Sequence, residues 1–418
     1  MMVQPLHMRG ARIWDETIRY DGTPQRDLYT SDVVLGEPAP GALTVDLDGY
    51  TIFPGLINAH DHLELNHYPR SKFREKYDNA HQWGEDMNAR LDTEPYKSLR
   101  AYPLWDRLFI GGLKNLLCGA TTVAHHNPPH KDLWHKDFPV RVLKKYGWTH
   151  SLHFSTDEEI VRSYRSTPPD VPWFIHLAEG TDEVAAGEYK RLKDLGCVGQ
   201  NTVIVHGVGL GYEDAGPIIH HVHGLVICPS TNQYLLQKYP TNLDVLDSPT
   251  WVYGFMALGS DSRLTSAGDL LDEMRFTQAH VFDEDTLNLP GIWKMSAAYC
   301  SVRMTTCDAA HVLKVPHRGA LEKDYLADWV TIRSAEDDEV ALCQSRRADL
   351  ALVVKGGLPQ IGDPDVMAKF PHVQTVAATL DGKPKRIHID LARRIHQCKL
   401  KEPGLEVDEL PKRRFAIW

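Results

Sequence analysis

Apolar and polar positions alternate along the chain in two regimes. Up to about residue 51 the apolar runs are short (ARIWDETIRYDG, DLYTSDVVLGEPAPG, ALTVDLDGY), with turn signals at Asp21-Gly22 and Asp48-Gly49. Short alternating runs punctuated in this way predict a small β domain over residues 1–51. From there short apolar strands alternate with 3.6-period helical stretches, the pattern of a parallel sheet. The first strand, residues 51–57, runs into His60 and His62. Residues 66–102 are too long for a simple connection and predict a loop with a helix lying over one end of the sheet. A helix over 104–118 leads into a strand at 120–124 that ends in His125-His126. Residues 138–154 read either as helix then strand or as two strands around an abbreviated helix. Further strands are expected at 173–176, 202–207, 224–229 and 254–259, with helices at 157–165, 182–195 and 213–222 and more helices up to about 311.

Counting from both ends numbers these strands one to three and five to eight, so strand four is compressed or missing. Short strands that each end in a polar cluster favour closure into an α/β barrel over residues 52–315. Beyond 316 the pattern returns to β (ADWVTIRS, ADLALVVKGG, QTVAATLDGKPKRIHI). This second β region, 316–392, is expected to pair with the first, and a C-terminal helix and tail occupy 393–418.

Composition narrows the partners. A formal charge of -10 and a pI near 6.1, with no basic cluster, argue against nucleic acid. No run of 18 apolar residues suggests a membrane span, and the first residues lack the apolar core of a signal peptide. Seven cysteines without a C-x-x-C pair suit a reducing cytoplasm and form neither a disulfide framework nor a cysteine zinc site. The 22 histidines are the one compositional oddity.

Four strand ends carry side chains that metal chemistry wants: His60 with His62, His176 with Glu179, His206, and Asp261. Residues two apart on a strand share a face, so His60 and His62 can reach one point. Three imidazoles and one carboxylate from these strand ends make a zinc-type shell with room for a water. Glu179 is then free to shuttle protons, and a further histidine to orient the water or polarise the reacting group. Each has a plainer reading. His206 is a hydrogen-bonded strand-end histidine, Glu179 charges a helix N-terminus, and Asp261 caps a turn. Four such groups at successive strand ends of one sheet favour the joint chemical reading. Arg263, two residues past Asp261, offers a planar fork for a substrate carboxylate. Its plainer alternative is an ion pair with Asp269, Asp272 or Glu273.

The segments PGLINAHDHLE, GATTV, HLAEG, IVHG, LGSDS and GALEKDYLADWV together resemble the amidohydrolase superfamily, in its order and spacing to about residue 335. The nearest branch holds guanine and cytosine deaminases, triazine chlorohydrolases and imidazolonepropionase. The resemblance implies a distorted (β/α)8 TIM-like barrel with a composite β-sandwich built from both chain ends. It implies one divalent ion, zinc ahead of iron, on His60, His62, His176 and Asp261, with catalytic roles for Glu179, His206 and Asp261. No strand-four lysine matches the bridge of the two-metal branches. The expected activity is hydrolysis at an sp² carbon bonded to nitrogen, by deamination of a heterocycle or amidine or by opening of a cyclic amide. The substrate is a small molecule, acidic if Arg263 binds it, and His125 after strand two is a second candidate contact. A cytoplasmic enzyme is the expectation, with either a monomer or a homo-oligomer left open. The alternatives are a non-catalytic assembly protein and a peptidase or dipeptidase on the same scaffold.

Overall fold

The structure, a computed structural model, describes residues 3–16, 25–240, 254–281 and 296–410. The Asp21-Gly22 turn and parts of the expected late helices and tail lie outside them. Eight short parallel strands are built as two arcs. One arc holds β1 (Leu56–Asp61), β2 (Ala120–His125) and β3 (Arg141–Val142). The other holds β4 (Gly147–Ser151), β5 (Trp173–Leu177), β6 (Thr202–His206), β7 (Gly224–Ile227) and β8 (Met256–Leu258). Strand four is therefore present. The compressed strand is β3, two residues long, and residues 143–146 pass from β3 to β4 without a helix. Of the two readings left open for 138–154, the chain takes two strands.

One face of these strands packs Ile57, Ala59, Ala124, Phe174, Val203, Val205, Val226 and Ala257 into an inner core. The opposite face (Leu56, Val123, Ile175, Ile204, Leu225, Leu258) packs with the helices into a larger one. Helix α1 (Ala80–Asn88) packs its Met87 into a smaller, separate cluster, whereas α2 (Leu104–Leu117) and α3 (Glu183–Asp194) are among the helices of the larger core. The strands are buried on both sides, which is why they read as continuous apolar runs. Caps set the helix starts: the Asn79 side chain accepts from Gln82 N at α1, and Asp182 accepts from Ala185 N at α3.

The remaining strands form a four-stranded sheet within residues 6–46 and an eight-stranded sheet that joins both ends of the chain. In the latter, Tyr50–Pro54 pairs antiparallel with Trp329–Arg333. Residues 51–54 thus belong to this sheet and not to the first parallel strand, which starts at Leu56. Both segments are apolar, and only Gly55 separates them in sequence. The C-terminal helix begins at Ile389, before residue 393, and the chain then returns as a strand, Leu405–Val407, on Thr375–Leu380. No helix among the described residues is long and apolar enough to cross a membrane.

Candidate metal centre

His60 and His62 leave the end of β1 on one face, their ring centroids 4.9 Å apart. Asp61 between them turns the other way, toward α2. His176 is the penultimate residue of β5, and its ring centroid lies 5.0 Å from that of His60 and 5.3 Å from that of His62. Asp261 follows β8 with Oδ1 3.6 Å from His62 Nε2 and 3.9 Å from His60 Nε2. The four residues predicted as ligands therefore converge, all of them buried.

Hydrogen bonds assign the ring tautomers. His126 Nε2–H donates to the Thr149 carbonyl (3.0 Å), so its Nδ1 accepts from His60 Nδ1–H (3.3 Å). That leaves the His60 lone pair on Nε2. His176 Nδ1–H donates to the His150 carbonyl (2.9 Å), which leaves its lone pair on Nε2 as well. These two lone pairs face each other at 3.3 Å. Burial, with the neighbouring imidazoles, holds His60, His126 and His176 well below the ordinary histidine range, so no proton bridges the gap. A cation between them relieves the repulsion. Two ligands about 2.1 Å from a tetrahedral ion lie about 3.4 Å apart, which the observed separation matches. His62 Nδ1 is buried without a hydrogen-bond partner. By donor chemistry and spacing, His60, His62, His176 and Asp261 fit a divalent metal ion.

His206 ends β6 close to the same cluster, but its protonation differs. Asn232 Nδ2 donates to its Nδ1 (3.0 Å), which places the proton on Nε2, 3.5 Å from Glu179 Oε2. His206 is thus a donor aimed at the reaction space. Burial pushes it down to about 4, with Asp261 pulling the other way. Glu179 is pushed well above the usual carboxylate range by burial and by the charges of Asp261 and Glu188. Asp261 is held on every side: Oδ2 accepts from Thr265 Oγ1 (2.8 Å) and Thr231 Oγ1 (3.2 Å), and Oδ1 accepts from Ser262 N (2.8 Å). Ala178, His206 and Asp261 all have left-handed backbones (φ 54°, 77° and 50°). Such conformations cost about 1–3 kcal/mol each in non-glycine residues and cluster at functional sites.

The cluster opens into a cavity of about 390 Å³. Residues 65–91 supply most of its apolar wall, with Leu65, Tyr68, Trp83, Met87 and Leu91, and Phe154 and Leu264 add to it. The long segment after strand one does lie over the metal centre, through α1.

Two predicted contacts are corrected. Arg263 does not line the cavity; its guanidinium forms a fork on Glu402, 2.9 and 2.5 Å from the two carboxylate oxygens. Its partner is thus neither a substrate nor the helix carboxylates weighed against it. His125 also lies outside the cavity, with Nε2 3.7 Å from Glu64 Oε2 and Nδ1 accepting from Leu63 N. His126 is the member of the pair that reaches the site, stacked 4.2 Å from His176. Alternation along β2 carried that signal: His126 has the parity of Ala124, which faces the inner core, and His125 that of Val123, which faces outward. Thr231, Thr265, Asn232 and the cavity-lining His150 had no comparable signal.

No family model matches the chain, and no curated protein sequence matches it. Solved structures do. An adenosine deaminase from Xanthomonas campestris with bound zinc superposes with a TM-score of 0.67 at 17% identity, covering 88% of this chain and 96% of its own. An atrazine chlorohydrolase from Arthrobacter aurescens complexed with zinc gives 0.65 at 16%, covering 88% and 99%. The Helicobacter pylori aminofutalosine deaminase in complex with methylthio-coformycin gives 0.55 at 14%, covering 85% and 99%. What is shared at these identities is the fold, the α/β architecture that the amidohydrolase resemblance implied.

Proposed function

We propose that this chain is a metal-dependent amidohydrolase that attacks an sp² carbon bonded to nitrogen, with the two arcs of strands forming a distorted barrel around one zinc ion. The observation that carries the reading is the facing pair of imidazole lone pairs, His60 Nε2 and His176 Nε2, completed by His62 and Asp261. Zinc in two of the superposed enzymes supports the choice of metal. When bound, such an ion acidifies water toward neutrality and polarises the bond under attack.

The side chains around it divide the remaining work. Glu179 lines the cavity, and its raised proton affinity suits Oε2 to take a proton from the attacking water and return it to the leaving nitrogen. His206 Nε2–H donates toward the charge that develops on the substrate. Asp261 is fixed by Thr231 and Thr265 on Oδ2, which keeps Oδ1 turned to the histidines. The apolar wall excludes water from a flat, largely apolar substrate. None of the described residues lining the cavity is lysine or arginine, which supports a neutral substrate over the acidic one that Arg263 would have bound. The peptidase reading wants a bridging lysine on strand four, and β4 reads GWTHS.

Incubation of the zinc-loaded protein with a panel of neutral aminated heterocycles and cyclic amides is the test. Ammonia release or ring opening that a chelator abolishes and zinc restores is expected. A zinc-loaded protein inert to both halves of the panel would overturn the reading.

A further inference from the structure

Three of the four ligands come from two strands that share no ladder. β1 is the edge of one arc and β8 the edge of the other, so His60 and His62 stand on one side of a seam and Asp261 on the opposite side. The strands approach closely there: a Cβ added to Gly259 would lie 2.5 Å from His60 Cβ. One backbone bond crosses the seam, from Asp261 N–H to the His60 carbonyl (3.0 Å), but a single bond is no ladder, and the separation and register that fix the metal site need further contacts.

At the centre of the seam lies Lys114, carried in from α2 and completely buried. Its Nζ is 3.1 Å from Asp61 Oδ2, the residue between the two ligand histidines. It also donates to Asn66 Oδ1 (2.9 Å), Ser260 Oγ (3.0 Å) and the carbonyl of Asp261 itself (3.3 Å). An ammonium has three donors, and acceptors on β1, after β1 and after β8 leave it no free orientation. The Asp61 carboxylate is held in turn by Asn115 (2.7 Å) and Asn66 (2.8 Å). Asn58 on β1 accepts from Ser260 N and donates to Ser260 Oγ. The Asp261 carbonyl belongs to a left-handed residue, and a charged donor on it helps hold that conformation.

We propose that Lys114 is a positioning residue of the metal centre, locking Asp261 against the His60–His62 pair across a seam that has no β ladder. The proposal rests on the metal-centre reading. Partners of the ligands that orient them typically account for 10–100-fold in metal affinity.

The test measures zinc affinity by competition with a chromogenic chelator, alongside the melting temperature with and without zinc. Lys114→Met paired with Asp61→Asn removes both charges and leaves no buried ion unpaired. Zinc affinity is expected to fall roughly 10–100-fold, with the zinc-induced rise in melting temperature shrinking to match. Ser260→Ala, which removes one of the two acceptors joining Lys114 to the strand-eight side, is expected to lower affinity in the same direction should the double variant not fold. If Lys114 merely stabilises the fold, metal-free and zinc-loaded forms lose stability equally and zinc affinity stays at the wild-type value. That result in the folded variants would overturn the positioning role. A wild-type protein that binds no zinc would instead overturn the metal-centre reading.

Discussion

Glu402→Gln is expected to destabilise the protein more than Arg263→Met, although both break the same ion pair. Glu402 comes from the C-terminal segment, its side chain 1% exposed, and it accepts from Arg263 and from Arg347. The two arginine side chains are 18% and 10% exposed. Arg347 has a second partner in Asp381, 2.8 Å away through two bonds, whereas Glu402 is the one carboxylate in contact with Arg263 among the described residues. Removing the Glu402 charge therefore strands one guanidinium in a buried site. Breaking a buried pair from one side typically costs 3–5 kcal/mol, and the residual exposure of Arg263 sets the expectation at about 3 kcal/mol. Arg263→Met leaves Glu402 still paired with Arg347. It loses charge-assisted hydrogen bonds worth about 1.5 kcal/mol and strands nothing. Urea unfolding of the metal-free proteins, followed by tryptophan fluorescence, gives both differences from midpoint and slope. An Arg263→Met variant as unstable as Glu402→Gln, or more so, would refute the reasoning. So would a rise in KM for acidic substrates alone, because the guanidinium lies outside the cavity.

Glu179→Gln is expected to keep zinc and lose turnover by about 10²–10⁴-fold, since an amide cannot accept and return the proton; near-normal turnover at full zinc content would reassign the shuttle. Gly259→Ala should lower zinc affinity at least about 10-fold by forcing β8 away from His60, and wild-type affinity measured by chelator competition would contradict the close approach seen at the seam. Burial pushes His150 and His206 down to about 4, so at intermediate pH the unfolded chain binds protons that the folded chain does not. Their contribution is full above about pH 6.5 and is lost as pH falls through about 4, roughly 3 kcal/mol for each group. Metal-free protein whose unfolding midpoint does not fall between pH 7 and pH 4.5 would contradict that assignment.

The convergence of the candidate ligands was legible in the chain because each carries a local mark. His60 and His62 stand at the end of one strand with only Asp61 between them, and His176, His206 and Asp261 each sit where an apolar run stops. A parallel sheet brings such ends to one side, so a pattern of strand ends already implies a cluster. Alternation on β2 even separates His126 from His125, once the inward parity is known from Ala124. The tertiary structure decided what depends on pairing between distant segments. The apolar run through Gly55 divides between two sheets because Tyr50–Pro54 finds Trp329–Arg333, a partner nearly three hundred residues away. Arg263 turns to Glu402, and Lys114 reaches Asp61 and Asp261, for the same reason. A charged side chain beside a site carries no mark of whether it will face solvent, substrate or an opposite charge. Only the packing of remote elements sets which carboxylate lies within reach, and burial then makes that one pairing costly to break.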